Sequence, residues 1–339
     1  MTALEQNVSL LPFNTFGVDA RARWFMTVRS ADDLARLEDD PRTRDLPRLV
    51  LGGGSNLLLT GDFDGLVLKI DVRGWRPAGE SDDAQLLEFG AGENWHATVA
   101  RLVDEGKPGL ENLALIPGQV GAAPIQNIGA YGVELAERFH ALQAWDCAAR
   151  EIVTMSAADC NFGYRDSALK SLESKRRIVL SVTLALPKRW EPVTGYADVG
   201  HELAARAIAR PSARELFDIV VAIRNRKLPD PVAVGNAGSF FKNPVVARAQ
   251  HQKLIAHHPS LVSYALPGGR FKLAGGWLID ACGLKGATRG RAGVFEKQAL
   301  VLVNRGGATG GEILALAREV QAKVAEKFGV MLEPEPVIV

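Results

Sequence analysis

The chain has 339 residues, and 40 Lys or Arg against 39 Asp or Glu leave a formal net charge of +1, which excludes a large nucleic-acid footprint. With 47% hydrophobic and 23% charged residues it can bury the cores of two or three domains and is not disordered. No apolar run reaches a membrane span, Met-Thr-Ala-Leu-Glu-Gln is not a leader, and Cys147, Cys160 and Cys282 are dispersed, so reduced thiols in a cytoplasmic protein without a metal site are expected.

In chain order, Ser30-Ala-Asp-Asp33 reads as a capping box opening a helix through Leu34 and Leu37. Arg48-Leu-Val-Leu51 reads as a buried strand, Gly52-Gly-Gly-Ser-Asn56 as a turn, and Leu57–Leu59 and Leu66–Ile70 as further strands. Leu86–Phe89 is a strand as well. The turn Gly90–Asn94 then leads into a helix from Trp95 to Glu105, capped by Asn94 and stopped by Gly106. Residues 108–132 hold a long irregular loop, of a kind uncommon inside a compact domain unless it binds something. Val179–Leu186 is expected to close that sheet, residues 203–226 to be helical, and Lys227-Leu-Pro-Asp-Pro231 to be a domain junction. A third block runs to Ala299–Asn304 and ends in an amphipathic helix, with Ile313, Ala317, Val320 and Val324 on one face and Gly329 as its stop.

Three motifs carry chemistry. Gly52-Gly-Gly-Ser-Asn56 offers successive backbone N–H groups with no side chains in the way, a nest suited to a pyrophosphate; the plainer alternative is a hairpin turn. Neither a Gly-x-Gly-x-x-Gly helix start nor a terminal Gly-Lys-Ser/Thr is present, so it is not a Rossmann fingerprint or a P-loop. The second glycine-rich loop, 117–132, points to one extended ligand between the two. Gly235 and Gly238 are expected to hold Ser239 in a sharp turn as a proton donor or polar anchor, the alternative being a surface turn between domains. Ala237 and Phe241 occupy the places where a nucleophile elbow needs glycines, so acid–base work fits Ser239 better than acyl transfer. Arg165, in Phe162-Gly-Tyr-Arg-Asp-Ser167, suits a bidentate clamp on carboxylate or phosphate, or a surface ion pair with Asp166. Glu335 lies between two prolines, either as a rigidly presented carboxylate or as part of a protected strand edge.

Taken together these strings resemble the UDP-N-acetylenolpyruvoylglucosamine reductase (MurB) family, nearly end to end. The likeness covers Asn14-Thr-Phe-Gly17, residues 52–56, Gly90-Ala-Gly-Glu-Asn-Trp-His96, the loop at 109–135 and residues 162–167. It continues through Lys227–Pro231, Gly235–Pro244, Gly276-Trp-Leu-Ile-Asp280, Gln298–Asn304 and Leu332-Glu-Pro-Glu335. The segment at Tyr196 resembles the longer of the family's two types, with a tyrosine loop over the substrate pocket.

The resemblance implies an α+β fold: a two-subdomain FAD-binding module of the vanillyl-alcohol-oxidase/PCMH type plus a C-terminal α+β substrate domain. The implied boundaries are 1–72 with the tail 331–339, 73–226, and 227–330. It also implies noncovalent FAD, NADPH as co-substrate, and reduction of UDP-N-acetylglucosamine enolpyruvate in peptidoglycan precursor synthesis, by a monomer that neither binds nucleic acid nor inserts in a membrane. Flavin N5 delivers hydride to C3, Ser239 protonates C2, and Arg165 and Glu335 give electrophilic help on the carboxylate side. Glu335 must then be protonated or act through water, which needs a raised pKa, and Ser239 donates credibly only in a dry, preorganised pocket.

The implied FAD contacts are Gly52, Gly53, Gly54, Ser55, Asn56, Pro117, Gly118, Ile125, Asn127, Ile128, Gly129 and Ala130; those to substrate are Tyr196, Lys227, Asn243 and Gln298. Departures from the family pattern are Ala122-Ala123 where some members have a serine pair, Gln119 where some have cysteine, and Pro-Val-Ile-Val after Glu335 in place of a basic residue. Two other readings stay open at this point. One is a flavin oxidase of the same superfamily with another substrate, for which Ser239, Lys227 and Gln298 are irrelevant. The other is a non-catalytic sugar-nucleotide binding module, which would be colourless.

Overall fold

The computed structural model describes residues 3–171 and 176–339. Its contacts fall into two units: one holds the chain up to Val8, Ala22–Gly54 and Asp64–Arg226, the other Ser9–Arg21, Ser55–Phe63 and Lys227–Val339. Helices and strands mix throughout both, as an α+β chain requires. Among the described residues no helix is long and apolar enough to cross a membrane.

The first unit contains two sheets. One has the strand order Glu5–Ser9, Arg21–Val28, Phe63–Ile70, Arg48–Leu51, the last two parallel with Leu51 opposite Lys69. The helix Ala31–Glu38 buries Leu34 and Leu37 in the same core as Val28, Leu66 and Leu68. The expected capping box does not form here. The Ser30 side chain makes no cap bond, and Asp33 instead accepts from the Arg29 main-chain N–H at 2.9 Å and from Arg36 at 2.7 Å. The carboxylate has turned to its own arginine, a charge-assisted pairing that outcompetes the reciprocal cap.

The second sheet is antiparallel, in the order Glu151–Ser156, Phe139–Asp146, Arg177–Pro187, Ala84–Gly90, Trp75–Glu80. Arg177–Pro187 is thus a central strand, with Val182 between Leu142 and Phe89, rather than the one that closes the sheet. Its near-continuous burial explains why its alternation is weak in the sequence. The helix Trp95–Asp104 starts where the Asn94 side chain accepts from Ala97 N–H at 2.9 Å, and it buries Trp95, Val99, Leu102 and Val103. Each such side chain contributes about 1.5–3 kcal/mol on burial. Residues 203–226 are not one helix: Ala197–Ala205 ends where Ala207 turns left-handed at φ 54°, with Ile208 N–H closing back on Leu203 O at 3.0 Å, and a break that contains Pro211 separates it from Ala213–Lys227.

In the second unit an antiparallel sheet runs Gly235–Ser239, Val301–Asn304, Ala292–Val294, Thr288–Arg289. The helix Gly310–Phe328 buries Ile313, Ala317, Val320 and Val324; a Thr309/Glu312 capping box opens it, and Gly329 at φ 61° ends it. A three-stranded sheet has the order Val245–Ala247, Arg270–Leu273, Ser263–Leu266. Leu57–Leu58 pairs in parallel with Val337–Ile338, so the end of the chain is fixed by main-chain bonds.

Candidate functional site

In the first unit, Gly52, Gly53 and Gly54 follow directly on the strand Arg48–Leu51. A Cβ on Gly53 would meet Gly118 Cα at 2.9 Å, and one on Gly52 would meet Gln119 Oε1 at 3.3 Å, so the two glycine-rich loops touch backbone to backbone. Main-chain bonds hold the second loop to the turn before the helix Trp95–Asp104: Trp95 N–H donates to Gly118 O at 3.1 Å, Val120 N–H to Glu93 O at 2.9 Å and Gly121 N–H to Ala91 O at 2.9 Å. Gln119 is buried and donates its amide to Gly92 O at 3.0 Å, while its Oε1 has no partner among the described residues. An orphaned acceptor of that kind needs an N–H or O–H donor.

Pro117 is exposed beside these glycines, Ile125 is 36% exposed, and Ile128 is buried. Asn127, 1% exposed, is a tie point: its amide donates to Glu134 at 2.8 Å and to Gly163 O at 3.0 Å, and its oxygen accepts from Ala136 N–H at 3.0 Å. Gly129–Ala130 pairs with Val133–Glu134 as a short hairpin.

Arg165 belongs to this unit too. Its main chain is left-handed at φ 53°, inside a tight turn closed by Gly163 N–H to Asp166 O at 2.9 Å and Asp166 N–H to Gly163 O at 3.2 Å. The guanidinium donates to Gly129 O at 2.5 Å, and a Cβ on Gly129 would lie 2.9 Å from Arg165 Nη1. A predicted cofactor residue and a predicted catalytic residue therefore meet. Tyr196 immediately precedes the helix Ala197–Ala205 without a side-chain cap bond, is 41% exposed, and packs edge-to-face on Tyr131 at 5.2 Å.

Three residues of this unit escaped the sequence reading. Arg224 has a buried Nε with no partner among the described residues. Burial pulls its pKa below the ordinary arginine value and Arg165 pulls the same way, against the Tyr131 hydroxyl beside it. Burial likewise raises the Tyr131 pKa. His96 accepts from Leu115 N–H at 3.0 Å through Nδ1 and stacks on Phe217, and burial, then Arg224, lower its pKa. One signal was available: Leu216, Val220 and Ile223 mark the buried face of the helix Ala213–Lys227, and Arg224 falls one turn after Val220.

In the second unit Ser239 is not in a turn. It is the last residue of the strand Gly235–Ser239, opposite Val301 and half-buried, with Gly238 at φ 68° absorbing the register shift between Asn236 and Ser239. Pairing with a fully buried strand overrides the local turn chemistry. The next residues make a second pairing. Phe240 N–H donates to Leu300 O at 2.7 Å, Glu335 N–H to Phe240 O at 2.8 Å and Lys242 N–H to Glu333 O at 2.9 Å, with Phe241 opposite Pro334. That antiparallel register puts Glu335 opposite Phe240, one residue from Ser239.

Asn56 joins this pairing, and other predicted residues lie in the same unit. The Asn56 amide donates to Glu335 O at 3.2 Å. Asn243 Oδ1 accepts from Gly275 N–H at 2.9 Å, where the helix Gly275–Ala281 begins, and Gln298 Oε1 lies against Gly276. Ser55 is half-buried in the same short segment as Asn56. Lys227 ends the helix Ala213–Lys227, and its Lys227–Pro231 segment reaches the serine strand through Asn236, whose amide donates to Pro229 O at 3.1 Å.

Comparison with known proteins gives the arrangement a context. The FAD binding domain family matches residues 22–156, and the family described as UDP-N-acetylenolpyruvoylglucosamine reductase, C-terminal domain, matches residues 230–339. The UDP-N-acetylenolpyruvoylglucosamine reductase of Ralstonia nicotianae is 55% identical over 342 residues, with all of both chains covered. That of Paraburkholderia phytofirmans is 57% identical over 326 residues, covering 96% of this chain and 94% of the relative. The crystal structure of the Thermus caldophilus reductase (MurB) superposes with a TM-score of 0.69 at 25% identity, over 100% of this chain and 99% of the other. The residues present fit FAD on a structural observation of their own. The glycines at 52–54 and 118 bring no side chain to the meeting of the two loops, and the buried Gln119 oxygen lacks a donor that a ligand hydroxyl or N–H provides.

Proposed function

The chain belongs to the UDP-N-acetylenolpyruvoylglucosamine reductase family, and on that premise we propose that NADPH is its reductant, that FAD is held noncovalently, and that Ser239, Arg165 and Glu335 serve the enolpyruvyl double bond. It is an FAD-binding oxidoreductase whose reaction is the reduction of the enolpyruvyl UDP-sugar in peptidoglycan precursor synthesis. When bound, FAD would supply the hydride chemistry, with NADPH as donor and C3 of the enolpyruvyl group as acceptor.

The remaining chemistry falls to side chains. Charge moves toward the substrate carboxylate as hydride arrives, and the Arg165 guanidinium is a planar bidentate partner for it. Glu335, as a neutral acid or through water, takes part of the same charge. Ser239 Oγ–H gives its proton to C2 and recovers one from solvent, leaving UDP-N-acetylmuramate. Lys227, Asn243, Gln298 and Tyr196 hold the diphosphate sugar, and Gly52–Asn56 with Pro117, Gly118, Ile125 and Asn127–Ala130 hold FAD. In the same proposal, residues 1–72 with 331–339 and residues 73–226 form the FAD-binding subdomains, 227–330 the substrate domain, and the protein works in the cytoplasm as a monomer.

The observation that carries this reading is the pairing of 240–242 with 333–335, which seats a serine hydroxyl and a carboxylate on adjacent rigid backbone. Its test is Ser239→Ala followed by half-reaction. Bleaching of the flavin by NADPH stays at the wild-type rate, while reoxidation by the enolpyruvyl sugar slows by about 10²- to 10⁴-fold. Unchanged turnover removes Ser239 from the acid role.

A further inference from the structure

Arg165 needs more than its own bonds to stay where it is. A non-glycine residue in left-handed backbone persists only when its surroundings over-determine it. Four contacts do so. The Lys170 ammonium donates to the Arg165 main-chain carbonyl at 2.5 Å. Asn127 donates to Gly163 O at 3.0 Å at the start of the turn, Ser167 Oγ–H donates to Ile125 O at 2.6 Å just after it, and the guanidinium itself rests on Gly129 O. The turn is thereby stitched to the glycine-rich loop on both sides. The Lys170 bond acts directly on the peptide carbonyl of Arg165.

A charge-assisted bond of that kind fixes the carbonyl's direction. With the carbonyl fixed and φ at 53°, the Cα–Cβ direction is set, and from that starting point the side chain's own bond to Gly129 O locates the guanidinium. Lys170 lies in the short 3-10 turn Ala168–Lys170, whose Leu169 is buried, so its own backbone is anchored in the core of the unit. We propose that Lys170 is a positioning residue for the reaction: it holds the strained Arg165 peptide so that the guanidinium meets the developing carboxylate charge, without touching the substrate. The proposal rests on Arg165 acting at that carboxylate.

The test uses the FAD-loaded full chain with Lys170→Met, Lys170→Arg and Arg165→Ala. Flavin content, thermal midpoint, flavin reduction by NADPH and reoxidation by the enolpyruvyl sugar are measured for each. For Lys170→Met the expected result is normal flavin content and reduction, reoxidation slowed about 10- to 100-fold, and KM nearly unchanged, the pattern of a misplaced transition-state contact. Lys170→Arg recovers most of the rate. Wild-type reoxidation in Lys170→Met, alongside slow reoxidation in Arg165→Ala, overturns the proposal and spares the role of Arg165. Wild-type reoxidation in Arg165→Ala overturns that underlying role instead. Should Lys170→Met not retain flavin, Lys170→Gln, which keeps an N–H donor, decides. Normal flavin with slowed reoxidation supports positioning; parallel loss of flavin and rate makes Lys170 structural and ends the proposal.

Discussion

Gly53 and Gly118 meet backbone to backbone: a Cβ on Gly53 would sit 2.9 Å from the Cα of Gly118, closer than real side chains come. The contact joins the first glycine-rich loop to the second, and neither partner can move a flexible side chain out of the way. Gly53→Ala is therefore expected to push the loops apart by a few tenths of an ångström and to lower the flavin retained per mole of purified protein. The thermal midpoint falls by the equivalent of about 1–3 kcal/mol. Gly61→Ala, where a Cβ meets nothing within 4 Å, keeps full flavin. Equal flavin content in both variants counts against the loop pair as the cofactor cradle.

Asn236 ties the Lys227–Pro231 segment to the serine strand. It is buried, donates to Pro229 O at 3.1 Å and Val234 O at 2.9 Å, and accepts from Gly238 N–H at 2.8 Å. Asn236→Ala strands buried main-chain groups and is expected to destabilise the protein by roughly 2–4 kcal/mol, read as a lower urea midpoint at unchanged slope. Because Gly238 precedes Ser239, reoxidation of the flavin slows as well. A midpoint within error of wild type contradicts this.

His96 gives a pH dependence whose sign follows from its lowered pKa. As pH falls, the unfolded chain takes up the proton first, near the ordinary value of about 6.5. Folded His96 resists until lower pH, because burial and Arg224 oppose the charge and Nδ1 is occupied by Leu115 N–H. Stability from this group is thus full above about 6.5 and is lost as pH drops from there toward the folded value. The thermal midpoint of wild type should fall more between pH 7 and 5 than that of His96→Asn, which keeps an acceptor but does not titrate. Parallel curves exclude the effect.

Local chemistry made part of this legible. The glycine loops, the Asn94 cap and the face of the helix Gly310–Phe328 are written in short-range patterns, and the strings around Ser239, Arg165 and Glu335 identified the family. The rest depends on partners distant in sequence. Ser239 reads as a turn because Gly235 and Gly238 flank it, yet Val301 pulls it into a strand. Asp33 looks like a cap, but Arg36 and the Arg29 N–H claim it. Arg224, Tyr131 and His96 converge from a helix, a loop and a helix start, and no spacing rule brings those three together.

The most direct test of the account is an anaerobic absorbance titration of the purified protein, with NADPH added first and UDP-N-acetylglucosamine enolpyruvate second. A flavin band that bleaches with NADPH and returns with the enolpyruvyl sugar is the predicted result, one turnover seen as two half-reactions. A band that bleaches and stays bleached contradicts the substrate assignment, and a protein that takes up no FAD contradicts the cofactor site itself.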